Sequence, residues 1–170
     1  TRAADNEVFV AHLNIVGGQD ELVFDGASLV CDMAGEPVAR GPAFRESLIT
    51  VDLDIDAVFS SRLRDPRPRK ENLTILREIG DSKVIHVSDF QPRERPPLAE
   101  TSLASAMGKM EGVYHALVMG TKDYLRKSGF AKALVGLSGG IDSALTATVA
   151  VDALGPDNVV GITMPSRFSS

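Results

Sequence analysis

Two periods of apolar residues divide the chain. Over the first third, short β-rich runs are separated by glycine turns; over the last third, apolar positions recur every three or four residues and then change again. Arg2 to Glu7 reads as the tail of a helix. Val8 to Val16 is a β-rich run bounded by Gly17-Gly18, and Glu21 to Phe24 is followed by the turn signal Asp25-Gly26. Ala27 to Asp32, Glu36 to Arg40 and Ser47 to Asp54 continue the series, which predicts an antiparallel meander. A helical turn or two from Ile55 to Leu63 closes the block. Beyond it, Lys83 to Val87 reads as an isolated strand. From Ser102, Leu103, Ala106, Met107, Met110, Val113, Tyr114, Leu117, Val118, Thr121, Tyr124 and Leu125 lie on one face of a helix of about 25 residues, stopped near Gly129. Ala133 to Leu137, Ile141 to Leu154 and Val159 to Thr163 then predict strand, helix, strand: a right-handed parallel βαβ unit.

Three details refine this picture. Gly108, Gly112 and Gly120 are poor helix residues that allow a second backbone to approach, so the helix face is either a subunit or domain contact or ordinary core. Arg62, Arg64, Arg67, Arg69 and Lys70 surround Pro66 and Pro68, and Gln91 to Pro97 is again proline-rich. Proline and like charges resist compaction, which favours a solvated linker over an anion-binding arm. The domain reading is therefore 1–63, a linker at 64–101, and 102–170.

Composition narrows the function classes. The sequence has 170 residues, 44% hydrophobic and 24% charged, with a net charge of −5, which argues against a general nucleic-acid binder. Its single cysteine, Cys31, rules out an internal disulfide framework and fits a reducing, cytoplasmic setting. Its mid-strand position suggests a structural thiol and not a nucleophile. No apolar run approaches the ~18 residues of a membrane span. The histidines, His12, His86 and His115, are scattered, without zinc-site spacing. Thr1 opens the sequence with a helix-like stretch at once, so a start inside a longer polypeptide is expected.

The chemistry concentrates in Gly136-Leu137-Ser138-Gly139-Gly140-Ile141-Asp142-Ser143, where a strand ends in a glycine turn that opens a helix. No lysine follows the glycines, so a Walker A loop is excluded, and their spacing does not fit a dinucleotide fingerprint. Gly-x-Ser-x-Gly is satisfied, which makes Ser138 a candidate hydrolase nucleophile, yet no histidine follows it. A phosphate cradle accounts for more residues: glycines for close approach, Ser138 and Ser143 as donors, and Asp142 as a Mg²⁺ ligand beside the phosphates. Such a cluster stabilises pyrophosphate as a leaving group and suits attack at the α-phosphorus of ATP.

Ser138-Gly139-Gly140-Ile141-Asp142-Ser143 resembles the Ser-Gly-Gly-x-Asp-Ser loop of the ATP pyrophosphatases. Gly161 to Ser170 is similar to the second strand and following loop of NAD synthetases, and Asn14 to Gly26 to a late part of the nitrilase-like glutaminase domain fused to the glutamine-dependent ones. Together they resemble glutamine-dependent NAD synthetases. The resemblance implies an α/β fold: C-terminal strands of a nitrilase-like α/β/β/α sandwich, then the start of a parallel-sheet, Rossmann-like adenine nucleotide alpha-hydrolase domain. It implies a ligase that adenylates deamido-NAD with Mg-ATP and displaces AMP with ammonia from glutamine, in a homo-oligomer. Carried over by position, Gly136, Leu137, Ser138, Gly139, Gly140, Ile141, Asp142 and Ser143 form the ATP loop, Asp142 holds Mg²⁺, Met164 lies against adenine, and Ser166 and Arg167 begin a loop near the nucleotide. The family's Glu-Lys-Cys triad lies upstream of the Asn14–Gly26 stretch, so Cys31 does not match it and no catalytic triad residue is assigned. Only two parallel strands are expected, where such a sheet has about five. An internal fragment, inactive alone, is the resulting expectation.

Overall fold

The computed structural model describes residues 2–64, 83, 85–90, 93, 95–98, 101 and 103–165. Two compact units result, one of Thr1–Ala11, Leu29–Ala39 and Ile49–Leu103, the other of His12–Ser28, Arg40–Leu48 and Ala104–Ser170.

In the first unit, helix α1 (Arg2–Asn6) leads into strand β1 (Val10–His12), which lies beside β4 (Leu29–Cys31) and then β5 (Pro37–Arg40). The β4–β5 turn is made by one side chain. Asp32 Oδ1 accepts the N–H groups of Ala34 and Glu36, each at 2.9 Å, as short acidic side chains do in turns. Cys31 is free and half-buried on the central strand, consistent with a structural thiol. Helix α2 (Ile55–Arg64) starts where the Asp54 carboxylate accepts the Ala57 N–H at 3.1 Å. Arg62, read above as part of a basic linker, instead donates to the Asn6 and Glu7 carbonyls at the end of α1, both at 3.3 Å. Pro66, Arg67, Pro68, Arg69 and Lys70 lie outside the described residues, as do Gln91, Pro92 and Glu94 of the second proline-rich stretch.

In the second unit, β2 (Val16–Gln19) and β3 (Leu22–Asp25) form an antiparallel hairpin registered Gln19↔Leu22 to Val16↔Asp25. It packs on helix α3 (Lys109–Lys127). The βαβ unit follows as expected, with β6 (Ala133–Leu137), α4 (Ile141–Leu154), a 3-10 turn at Pro156–Asn158, and β7 (Val159–Thr163) parallel to β6. Val135, Val149, Ala150 and Ala153 form its buried centre.

Several expectations are corrected. The first third is not one meander: β1 pairs with β4, and the β2–β3 hairpin is a sheet of its own. Gly17 and Gly18 do not bound a strand but lie within β2, because α3 passes so close there. A Cβ on Gly18 would sit 3.2 Å from the Gly120 Cα. Gly120 alone of the three helix glycines meets such a neighbour: its own Cβ would be 3.2 Å from Val23 Cγ2. The hairpin turns at Asp20 (φ 51), where an aspartate tolerates the left-handed region, and Asp25 ends β3. Ser47 to Asp54 is irregular, with Leu48 91% exposed; among the described residues no strand pairs with it. Residues 83 and 85–87 are likewise irregular, and Val84 lies outside the described residues. Helix α3 starts at Lys109 and not near Ser102, because the Ala104 N–H is held by the Arg40 carbonyl at 3.0 Å and Gly108 is extended (φ −63, ψ 148).

Helices α3 and α4 are joined by Tyr114, whose phenol donates to Asp152 Oδ2 at 2.5 Å. The bond, then desolvation, then the charge of Asp152 raise the Tyr114 pKa above its ordinary 10.0. A raised pKa means a contribution to stability that is complete below pH 10 and lost as pH rises through the raised value. The difference in Tm between the protein and Tyr114→Phe should therefore hold steady from pH 7 to 9 and shrink above pH 10. Thermal scans across that range test it, and a gap that widens above pH 10 contradicts it.

Candidate functional site

Leu137 ends β6, Ser138 and Gly139 turn the chain, and Gly140 is the N-cap of α4 (φ −89, ψ 165) with no side-chain cap bond. Gly139 sits at φ +89, a conformation that side chains with a Cβ rarely adopt. This sharp reversal lets the strand deliver its last residues straight to a helix N-terminus.

Two serines brace the turn. Ser143 Oγ accepts the Ser138 N–H at 3.2 Å and donates to the Gly140 carbonyl at 3.0 Å. Its proton is thus engaged, so the 3.1 Å contact between the two hydroxyls takes its proton from Ser138. Ser138 Oγ also accepts the Gly140 N–H at 3.4 Å. In this state both hydroxyls hold the turn closed and neither is a spare donor. The donors left over are backbone groups: among the described residues the N–H groups of Gly139, Ile141, Asp142 and Ser143 have no partner. They belong to the turn and to the first helical turn, which has no carbonyl to bond to, and they carry the positive end of the helix dipole.

Asp142 stands in that first turn, exposed, and its carboxylate meets no hydrogen-bond or ion-pair partner among the described residues. Among those residues no three His, Cys, Asp or Glu side chains gather into a metal cage. A lone carboxylate fits Mg²⁺, which keeps several waters and takes its remaining ligands from substrate phosphates. The arrangement offers neither the cage nor the bond pattern of a calcium or zinc site.

Parallel pairing of Leu137 with Thr163 brings the carboxyl end of β7 beside the turn. Gly136, Leu137, Ser138 and Gly139 then face Thr163, Met164 and Pro165 across an open cleft of about 410 Å³, within the usual range for small-molecule sites. Of the residues expected from the sequence, Gly136, Leu137, Ser138, Gly139 and Met164 share this cleft. Gly140, Ile141, Asp142 and Ser143 follow at the helix start and do not line it. Met164 is 77% exposed, an apolar side chain open to a planar ligand. Ser166 and Arg167 lie outside the described residues. Thr163 and Pro165 escaped the sequence reading as cleft residues; the signal was the end of the second parallel strand, where open α/β sheets place ligands.

The nucleophile-elbow alternative finds no support in this geometry. The Ser138 hydroxyl is engaged with Ser143 and Gly140, while His115 stacks on Phe44 at 5.6 Å and His86 pairs with Asp89 at 3.3 Å.

Comparison with known proteins decides the relationship. The family model described as carbon-nitrogen hydrolase matches residues 1–62, and that described as NAD synthase matches residues 113–170. A glutamine-dependent NAD(+) synthetase from Thermotoga maritima is 42% identical over 99% of the chain and 28% of its own length. One from Aquifex aeolicus is 45% identical over 100% of the chain and 29% of its own length. The chain resembles the glutamine-dependent NAD(+) synthetases. A solved synthetase from Acinetobacter baumannii, in complex with adenosine diphosphate, aligns with a TM-score of 0.66 and 32% identity over 99% of the chain and 25% of the other. The chain thus spans between a quarter and a third of the length of these three synthetases. Its fold is α/β, nitrilase-like elements followed by the parallel start of an NAD synthase sheet. The cleft and turn lie in the NAD synthase match, and the β2–β3 hairpin lies in the carbon-nitrogen hydrolase match. Among the described residues no helix is long and apolar enough to cross a membrane.

Proposed function

We propose that the protein carrying this chain makes NAD⁺ from deamido-NAD, ATP and glutamine. The observation that carries the reading is a strand-to-helix turn whose N–H groups and carboxylate have no partner among the described residues, set in a chain with matches to a carbon-nitrogen hydrolase and then an NAD synthase. In this reading Gly136 to Ser143 bind ATP, with Met164 against the adenine. The N–H groups of Gly139, Ile141 and Asp142 take phosphate oxygens, a role that suits a helix N-terminus. Ser138 and Ser143 keep the turn in shape and can rotate their hydroxyls toward a bound anion. Asp142 would hold Mg²⁺, which when bound offsets phosphate charge and favours pyrophosphate as the leaving group.

The chemistry balances in two steps. The deamido-NAD carboxylate attacks the α-phosphorus, forming an acyl adenylate and releasing pyrophosphate. Ammonia from glutamine then attacks the acyl carbon, and AMP leaves with the carboxylate oxygen. We assign residues 1–63 to the glutamine-hydrolysing domain, 64–101 to a linker and 102–170 to the synthetase, in a cytoplasmic homo-oligomer. Supplied with deamido-NAD, Mg-ATP and glutamine, the full-length protein should release AMP and pyrophosphate in step with NAD⁺. Release of ADP and phosphate instead would overturn the reading.

A further inference from the structure

Among the contacts between the two family-matched regions, one residue is held at both its backbone groups. Gly18 is buried on β2, and both its backbone groups are held from α3: its N–H donates to Asp123 Oδ2 at 2.8 Å and its carbonyl accepts from Lys127 Nζ at 2.6 Å. Asp123 and Lys127 are four residues apart, hence on one helix face. The Asp123 side chain is only 14% exposed, and its other oxygen pairs with Arg126 at 3.2 Å. Charge-assisted bonds of this kind are short and directional. Beside the close Gly18–Gly120 approach described above, the carboxylate and ammonium fix the register of hairpin on helix. The same helix holds α4 through Tyr114 and Asp152, and α4 begins at the nucleotide turn.

We propose that Asp123 and Lys127 are positioning residues for glutamine-dependent amidation: by clamping Gly18 they hold the β2–β3 hairpin, which belongs to the carbon-nitrogen hydrolase match, in register on α3 of the NAD synthase match. The proposal rests on the function proposed above. Neither side chain lines the cleft, so neither touches nucleotide there. Ammonia supplied from solution needs no such register, whereas ammonia released in one region and used in another does, and small misplacements of reacting groups carry large rate penalties.

The test compares nitrogen donors in the full-length protein. In Asp123→Ala, NAD⁺ formation with glutamine should fall about tenfold, while formation with ammonium chloride stays within about twofold. Glutamate release per NAD⁺ made should rise. Asp123→Asn keeps an acceptor for the Gly18 N–H and should recover most of the glutamine-driven rate. Lys127→Met, which keeps the side-chain stem, gives a second reading should the alanine variant fold poorly. Equal losses with both donors, or no loss with either, overturn the clamp as a positioning device. Failure of the unmutated protein to form NAD⁺ with either donor would instead sink the functional reading, and the clamp with it.

Discussion

Replacing Asp142 by alanine in the full-length protein should lower ATP-dependent NAD⁺ formation by on the order of 10²–10³-fold, the scale of removing one preorganised electrostatic group from a site where charge develops. The fold should hardly notice. The carboxylate is exposed and has no partner among the described residues, so nothing is left orphaned by its removal. Its favourable place in the first turn of α4 is worth about 0.3–1 kcal/mol, which bounds the loss of stability. Asp142→Asn separates charge from shape: it keeps the size and one acceptor oxygen and should remain severely impaired, because an amide binds Mg²⁺ far less well than a carboxylate. The measurement is the rate of pyrophosphate release against Mg²⁺ concentration, with a thermal melt alongside. An alanine variant that keeps at least a third of the activity, with an unchanged Mg²⁺ dependence, would remove Asp142 from the metal role.

The second large effect is expected at Gly139. Space is not the constraint, since a Cβ there would meet no atom within 4 Å. Conformation is: at φ +89 a β-branched residue is strained by about 1–3 kcal/mol. The strain can be relieved only by reshaping the turn that aims the Gly139, Ile141 and Asp142 N–H groups. Gly139→Val should therefore raise the KM for ATP by about 10- to 100-fold, since every 1.4 kcal/mol is tenfold. Gly139→Asn should lose much less, because asparagine visits the left-handed region readily. Steady-state kinetics on both variants decide it; equal KM values for valine and asparagine would show that backbone conformation at this position does not govern nucleotide binding.

How much of this was legible in the residues differs along the chain. The βαβ unit was read almost to the residue, Ala133–Leu137, Ile141–Leu154 and Val159–Thr163, because each element is marked by its own local signal: a short apolar run, a glycine turn, a Gly-Pro stop. The turn at Ser138 to Ser143 was legible for the same reason. In the first third the runs were visible but their partners were not. β1 lies beside β4 across an intervening hairpin, and no local pattern encodes which strand a run will join. Gly17 and Gly18 looked like punctuation, since a glycine in sequence does not say whether it relieves a turn or admits a helix. Ser47 to Asp54 carries a strand-like run with no strand paired to it among the described residues, and β-propensity yields to that context.

The sequence by itself determined the chemistry on offer: a glycine turn, two hydroxyls and one carboxylate between a strand and a helix, and the likeness to two families in order. These are local facts, set by residue type and spacing. Only the tertiary structure decided three others. Parallel pairing of β6 and β7 makes Met164 a wall of the same cleft as Ser138. The two serine hydroxyls are turned inward to hold the turn, leaving backbone N–H groups as the donors. The polar groups of Gly18 are gripped by Asp123 and Lys127, more than a hundred residues away in the chain. Each joins groups distant in sequence, and such contacts exist only once burial and strand pairing have brought the segments together.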